Sequence, residues 1–224
     1  MKHTLLYIAT TLLLASCGQE ELPLGEQALG YLSLSAVEVE ASDVQLISTR
    51  AGETDDLIVA LTDESEKMTE YDYAETISCP PGTYTLEIYS ESYKTENANA
   101  PKYYYKHKEQ VVIEEGQTEP VGNISVPMIN FGVTFSWPED LKGFTKIKFN
   151  VEYGSTSKEI QTGETTYFDI SDEKTISYSL SAQNEDEDPV ATNGLYGDEE
   201  NETLKAGTIY TVSYKLETQT LEIK

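Results

Sequence analysis

Few residues in this chain could carry chemistry. Among 224 residues there are two cysteines, Cys17 and Cys79, two histidines, His3 and His107, and a single arginine, Arg50. A Ser-His-Asp or Cys-His arrangement needs an imidazole in the right place. His107 lies in "KYYYKHKEQVV", a cationic, aromatic run that an exposed strand face explains. Structural zinc asks for several Cys and His ligands, and there are too few. Paired carboxylates could hydrolyse a glycosidic bond, but with 40 acidic residues any one pair is uninformative. No Gly-rich phosphate loop follows a strand and opens a helix. The acidic runs "NEDEDP" (184–189) and "GDEENET" (197–203) lack the D-x-D-x-D-G spacing of a calcium loop. They read as solvated loops bracketing one long excursion between Ala182 and Leu204. The chemistry points away from an enzyme and from any cofactor.

Cys17 has a different reading. Met1-Lys2-His3 is a short basic start, Leu5 to Leu14 is mostly apolar, and Ala15-Ser16 is a small-residue pair. That order is a secretory signal, too short to span a bilayer, which needs roughly 20 apolar residues. Leu14-Ala15-Ser16-Cys17 matches a bacterial lipobox, in which the thiol is acylated and the cysteine becomes the new N-terminus. Residues 1–16 are then a signal peptide, and residues 17–28 a lipidated N-terminus and acidic tether. Cys17 is the expected lipidation site, and each buried CH₂ of its acyl chains contributes about 0.8 kcal/mol of membrane affinity. With Cys17 acylated, Cys79 has no partner in the chain and a disulfide is excluded. In "TISCPPG" Cys79 reads as a small buried hydrophobe at a strand end.

The formal charge is −25. A chain this acidic repels phosphate backbones and anionic headgroups, so nucleic acid is not an expected partner. Membrane contact is expected through the lipid alone.

The elements that must position these residues are strands. Ile129, Phe131, Val133, Phe135 and Trp137 alternate with polar or small residues. Ile147, Phe149, Val151 and Tyr153 do the same, as do Ile176, Tyr178, Leu180 and Ala182. Period-two alternation with one polar face predicts antiparallel sheets with one wet side, and the turn spacing suggests sandwiches. Almost nothing after residue 28 reads as helix. "PPGTYTLEIY" (80–89) and "KAGTIYTVSY" (205–214) share a Gly-Thr turn followed by Tyr-Thr-apolar-x-apolar. A shared late strand predicts two domains of related build, 29–127 and 128–224, joined near Pro127.

Two features stand outside this pattern. The chain has 16 tyrosines, with a triple at Tyr103, Tyr104 and Tyr105. Tyrosine offers an apolar face and a polar tip for ligand contact, and it is also a strong strand former. Three consecutive strand residues cannot all point inward, so at least one ring faces outward unless a bulge or neighbour covers it. This makes the triple a candidate ligand contact, with surface glycans as the ligand class. Arg50 and Ala51, in "LISTRAGETDD", form a candidate proteolytic processing site.

The order of "GYLSLS" after a lipobox, "TRA", "PPGTYTLEIYSES", a Tyr-rich segment, "VVIEEGQT" and "VSYKL" resembles a Bacteroidetes lipoprotein domain family of unassigned function, which in turn resembles the fimbrillin superfamily. The acidic residues after Cys17 also resemble that group's surface-export signal. The resemblance implies an all-β chain of two tandem antiparallel β-sandwich domains, transthyretin- or immunoglobulin-like. It implies lipid anchoring in the outer membrane with surface exposure, and a part in adhesion or pilus assembly. In fimbrillins an arginine-specific protease removes the first strand, and the groove accepts a strand from the next subunit. Carried over, cleavage falls at Arg50 and the removable segment is Leu29 to Thr49, with fimbrillin-like subunits as partners by strand exchange. An uncleaved anchor or accessory protein is the equal alternative.

Overall fold

The computed structural model describes residues 28–40, 56–139, 141–199, 202–216 and 218–223. Among the described residues the fold is all-β apart from one four-residue helix. In the first half the strands are β1 (Gly30–Ser33), β2 (Val37–Glu40), β3 (Leu57–Asp63), β4 (Met68–Asp72), β5 (Thr76–Cys79), β6 (Gly82–Ser90), β7 (Tyr104–Lys106), β8 (Val111–Ile113), β9 (Thr118–Pro120) and β10 (Ile124–Pro127), with helix α1 (Glu91–Lys94) after β6. One sheet has the order β5-β1-β9, and β2-β10 continues it. The facing sheet has the order β4-β3-β6-β7, with β8 also on β6. Leu32, Ile77, Ile124 and Val126 from one sheet meet Val59, Leu61, Leu86 and Ile88 from the other in a single core. Alternation along β6 explains the layering, since Leu86 and Ile88 point inward while Glu87 points out.

The second half repeats this plan. Its strands are β11 (Asn130–Ser136), β12 (Thr145–Tyr153), β13 (Thr156–Ile160), β14 (Thr165–Asp169), β15 (Ile176–Gln183), β16 (Pro189–Tyr196), β17 (Ile209–Lys215) and β18 (Thr220–Ile223). The sheets are β14-β11-β17-β18 and β13-β12-β15-β16. Their core is aromatic. Phe135 stacks on Phe149 at 4.3 Å, and Phe131 meets Phe168, Tyr153 and Tyr210. The chain crosses from one core to the other within a few residues, Met128 closing the first and Phe131 opening the second.

Three expectations need refinement or correction. Most strand pairs are antiparallel as expected, but an early strand of each half pairs in parallel with a late one: β1 with β9, β2 with β10, and β11 with β17. The two segments that share a Gly-Thr turn and Tyr-Thr-apolar-x-apolar are not equivalents. β6 occupies the place of β15 in the second half, while β17 occupies the place of β9 and β10. The halves share a topology, but the local motif that suggested kinship reflects a common way to start a strand. Thirdly, the stretch between Ala182 and Leu204 is no long loop. β16 runs through it, paired with β15 from Ile176↔Tyr196 to Gln183↔Pro189. The acidic run makes a tight turn in which Asn184 Oδ1 accepts from the backbone N–H groups of Asp186 and Asp188. Gly194 is needed there, because a Cβ would lie 2.3 Å from the Tyr178 ring.

Candidate functional site

Two places in the first half gather the residues that the sequence singles out. The first is the slot filled by β1 and β2. β1 lies between β5 and β9, with Leu32 opposite Ile77 on one side and Glu119 on the other. Leu34 N–H donates to Glu75 O, and the Tyr73 hydroxyl donates to Leu34 O. The strand starts tightly: a Cβ on Gly30 would lie 2.4 Å from Glu114 O. Leu32 and Leu34 are 0 % exposed, and Val37 is buried beside them. Burying each such side chain contributes about 1.5–3 kcal/mol. Three of them match much of the roughly 5–15 kcal/mol that holds a domain folded. This chain segment is therefore the keel of the first core.

Cys79 sits directly across from Gly30 on β5 and is buried in that core. Burial pushes its thiol pKa up, so it is held as the unreactive thiol. Beyond β2 the chain enters residues 41–55. Arg50 and Ala51, with the expected strand at 44–47, fall outside the described residues, and so do Cys17 and the tether.

The second place is an aromatic groove on the outer face of β6 and β7. The tyrosine triple divides across the sheet. Tyr103 is buried in the first core and Tyr105 packs against it, its hydroxyl 2.8 Å from His107 Nδ1. Tyr104 points outward, and a neighbour covers part of it: Tyr93 of α1 stacks on it at 4.8 Å. Tyr89 joins them at 5.6 Å from Tyr93. Helix α1 exists because Ser90 caps it, its Oγ accepting from Tyr93 N–H; the same oxygen accepts from Tyr103 N–H. Sequence periodicity misses a one-turn helix. The signal that could have found it is the cap, Ser90 ahead of Glu91, in "YSESYK".

Two hydroxyls and two carboxylates are paired around this groove. Tyr104 donates to Glu87 Oε1 at 2.8 Å, and Tyr89 donates to Glu70 Oε1 at 2.8 Å. Burial, then the bond to Glu87, pushes the Tyr104 pKa up to about 12; Tyr89 is raised for the same kinds of reason. Lys94 binds Glu70 at 2.6 Å and holds that carboxyl below its usual range. Lys106 binds Glu87 at 3.1 Å.

The groove continues to the second half. Lys102 Nζ reaches Asp169 Oδ2 at 2.8 Å. Asn130 Oδ1 accepts from Lys102 N–H, and its Nδ2 donates to Ala100 O. Lys158 Nζ donates to Ala98 O, Asn99 Oδ1 and Tyr167 O, which is why burial can lower its pKa without stranding it. Alternation placed Asn130 on a wet face; it is 1 % exposed, because the loop after α1 covers it. The cleft so formed has a volume of about 760 Å³, with the three tyrosines Tyr89, Tyr93 and Tyr104 at its centre and Met68 and Ile170 at its lips.

The model of a domain of unknown function, DUF4493, matches residues 28–224. The chain belongs to the DUF4493 family. No curated protein matches it. Among solved structures, the DUF4493 chain is similar to a candidate cell adhesion protein from Bacteroides fragilis NCTC 9343, at TM-score 0.45 and 12% identity, over 84% of this chain and 96% of that one. It is similar to a candidate adhesin from Bacteroides ovatus ATCC 8483, at TM-score 0.39 and 9% identity, over 75% and 82%. It is also similar to the C-terminally truncated tip fimbrial protein Mfa3 from Porphyromonas gingivalis, at TM-score 0.38 and 9% identity, over 88% and 98%.

Proposed function

We propose that this DUF4493 chain is a non-catalytic, fimbrillin-like surface module, held at the outer membrane by lipid on Cys17 and acting in adhesion or pilus assembly. One observation carries the reading: the first strand is central in its sheet and holds the core together. An N-terminal strand is usually an edge that can be lost cheaply. Here its loss opens a slot flanked by β5 on one side and β9 and β10 on the other, with Val59, Leu61, Leu86 and Ile88 of the facing sheet beneath. Such a slot offers unpaired backbone groups and apolar pockets at alternate positions, which is what an incoming strand needs. Cleavage at Arg50 would separate that strand from the body it stabilises.

The test has two arms. Treatment with an arginine-specific protease should cut the chain after Arg50 and, once residues 29–50 are stripped, yield self-associated species on size exclusion. Arg50→Ala should stay uncut and monomeric. A stripped chain that neither self-associates nor takes up a peptide of residues 29–49 excludes the strand-exchange version and leaves an anchor or accessory. In cells, Cys17→Ser should move the protein out of the membrane fraction; retention there would overturn the lipid anchor.

A further inference from the structure

The cleft between the halves has a composition unlike the rest of the surface. The chain has 40 acidic residues against 15 basic ones. Yet three of the four ion pairs among the described residues stand around this one cleft: Glu70–Lys94, Glu87–Lys106 and Lys102–Asp169. Only Glu96 adds a further formal charge to its lining. Three lysines, Lys94, Lys102 and Lys106, thus offset carboxylates around this cleft and leave it close to neutral on a strongly acidic protein.

That balance narrows the ligand. An anion must break a lysine away from its carboxylate, and a cation must do the reverse. A neutral ligand rich in hydroxyls needs neither, because each hydroxyl can donate to a carboxylate and accept from an ammonium. The floor supplies the other half of the recognition. Tyr93 and Tyr104 stack, Tyr89 tilts against them, and hydroxyls of Tyr89 and Tyr104 are fixed by Glu70 and Glu87. Tyr89 is buried beneath, so the half-buried Tyr93 and Tyr104 are the rings that reach the cleft; rings held this way present an apolar surface at no rotamer cost, the partner a sugar's C–H face requires. Met68 and Ile170, 49 % and 42 % exposed, stand at the lips from opposite halves. The volume falls within the roughly 300–1,000 Å³ of ligand clefts.

We infer that the cleft between the halves is a binding site for a neutral oligosaccharide, stacked on Tyr93 and Tyr104, which the buried Tyr89 supports, and hydrogen-bonded by the ion pairs around it. This site is separate from the β1–β2 slot and does not depend on strand exchange.

Calorimetric titration of the purified full chain tests it. The probes are unbranched neutral oligosaccharides of glucose, mannose, galactose and xylose, with oligogalacturonate and an oligolysine peptide as charged comparators. At least one neutral probe should bind. Tyr104→Ala should weaken it by about tenfold or more, the loss expected for one stacking ring. Met68→Glu, on an exposed lip, keeps the fold and should also weaken binding, whereas Tyr31→Ala, at the far sheet, should not. The inference is overturned if no neutral probe binds, if only the charged comparators bind, or if Tyr104→Ala and Met68→Glu both bind as the parent does.

Discussion

Lys102 Nζ lies 2.8 Å from Asp169 Oδ2, and the two residues sit on opposite halves of the chain. Their environments are unequal: the lysine side chain is 8 % exposed, the aspartate 59 %. An exposed carboxylate is screened, so the attraction alone is worth little. What matters is the ammonium, which has left water and relies on the carboxylate at the end of β14.

Removing either partner therefore has different effects. Asp169→Asn leaves a buried cation facing a neutral amide and should cost about 1–3 kcal/mol. Lys102→Met removes the charge with its solvation demand and keeps the stem's packing, so it should be close to neutral. Urea unfolding of both variants checks this. Equal losses would mean that the pair acts by simple attraction.

Ser90 joins the helix to the tyrosine groove. Its Oγ accepts from Tyr93 N–H and Tyr103 N–H while buried, so Ser90→Ala strands two donors. The loss should be about 1–2 kcal/mol. It should also free α1, so the near-ultraviolet dichroism from the Tyr89, Tyr93 and Tyr104 cluster should weaken before global unfolding. An unchanged aromatic signal would show that ring packing, not the cap, holds the helix.

Much of this fold was legible in the sequence because buried strands write a period of two. The alternation over residues 129–137, 147–153 and 176–182 marks strands whose apolar members turn inward, save Ile129, which is half-buried and lines the cleft. Pairing is not written so plainly. That β1 lies parallel to β9 depends on contacts almost 90 residues apart, and no local pattern encodes them. The β16 strand was hidden because its burial alternates only between half-buried and exposed, giving weak contrast beside acidic turns. In the groove, the outward tyrosine was predictable from strand geometry, and Tyr104 is the one. Tyr89 was not singled out; it lies on the same outer face but is buried, with Tyr93 and Tyr104 packed against it. Lys102 and Asn130 were illegible, since a buried polar residue declares itself only when its partner, here on the other half, is known.

The Tyr104 hydroxyl offers a pH readout. Its pKa is raised from 10 to about 12, first by burial and then by the bond to Glu87. The fold thus favours the neutral phenol. The stability this contributes is complete below about pH 10 and is lost as the pH climbs through about 12. Tyrosinate absorbance should rise in stages, exposed rings first and Tyr104 late. Glu87→Gln removes the negative charge beside the phenol and should move the late stage to lower pH, though not to the ordinary value, since burial remains. A single-stage titration in the parent would contradict the coupling.

Cys79 reports on the first strand. It lies across from Gly30, buried beneath the sheet that β1 completes, and its thiol is kept protonated by that burial. In a Cys17→Ser background it is the only thiol left in the chain. With β1 in place, reaction with a disulfide reagent should be at least about a hundredfold slower than for a free thiol, the factor set by a local opening that costs about 3 kcal/mol. Excising residues 29–50 removes the pairing strand together with Leu32 and Leu34, and in the monomeric fraction of the stripped chain Cys79 should react at nearly the free rate. Adding back a peptide of residues 29–49 should restore protection, because the peptide supplies the same backbone partners and the same two leucines. A thiol that reacts fast in the intact chain would show that β1 frays on its own. One that stays protected in the monomeric stripped chain would show that the sheet closes over the slot, which would leave no opening for an incoming strand.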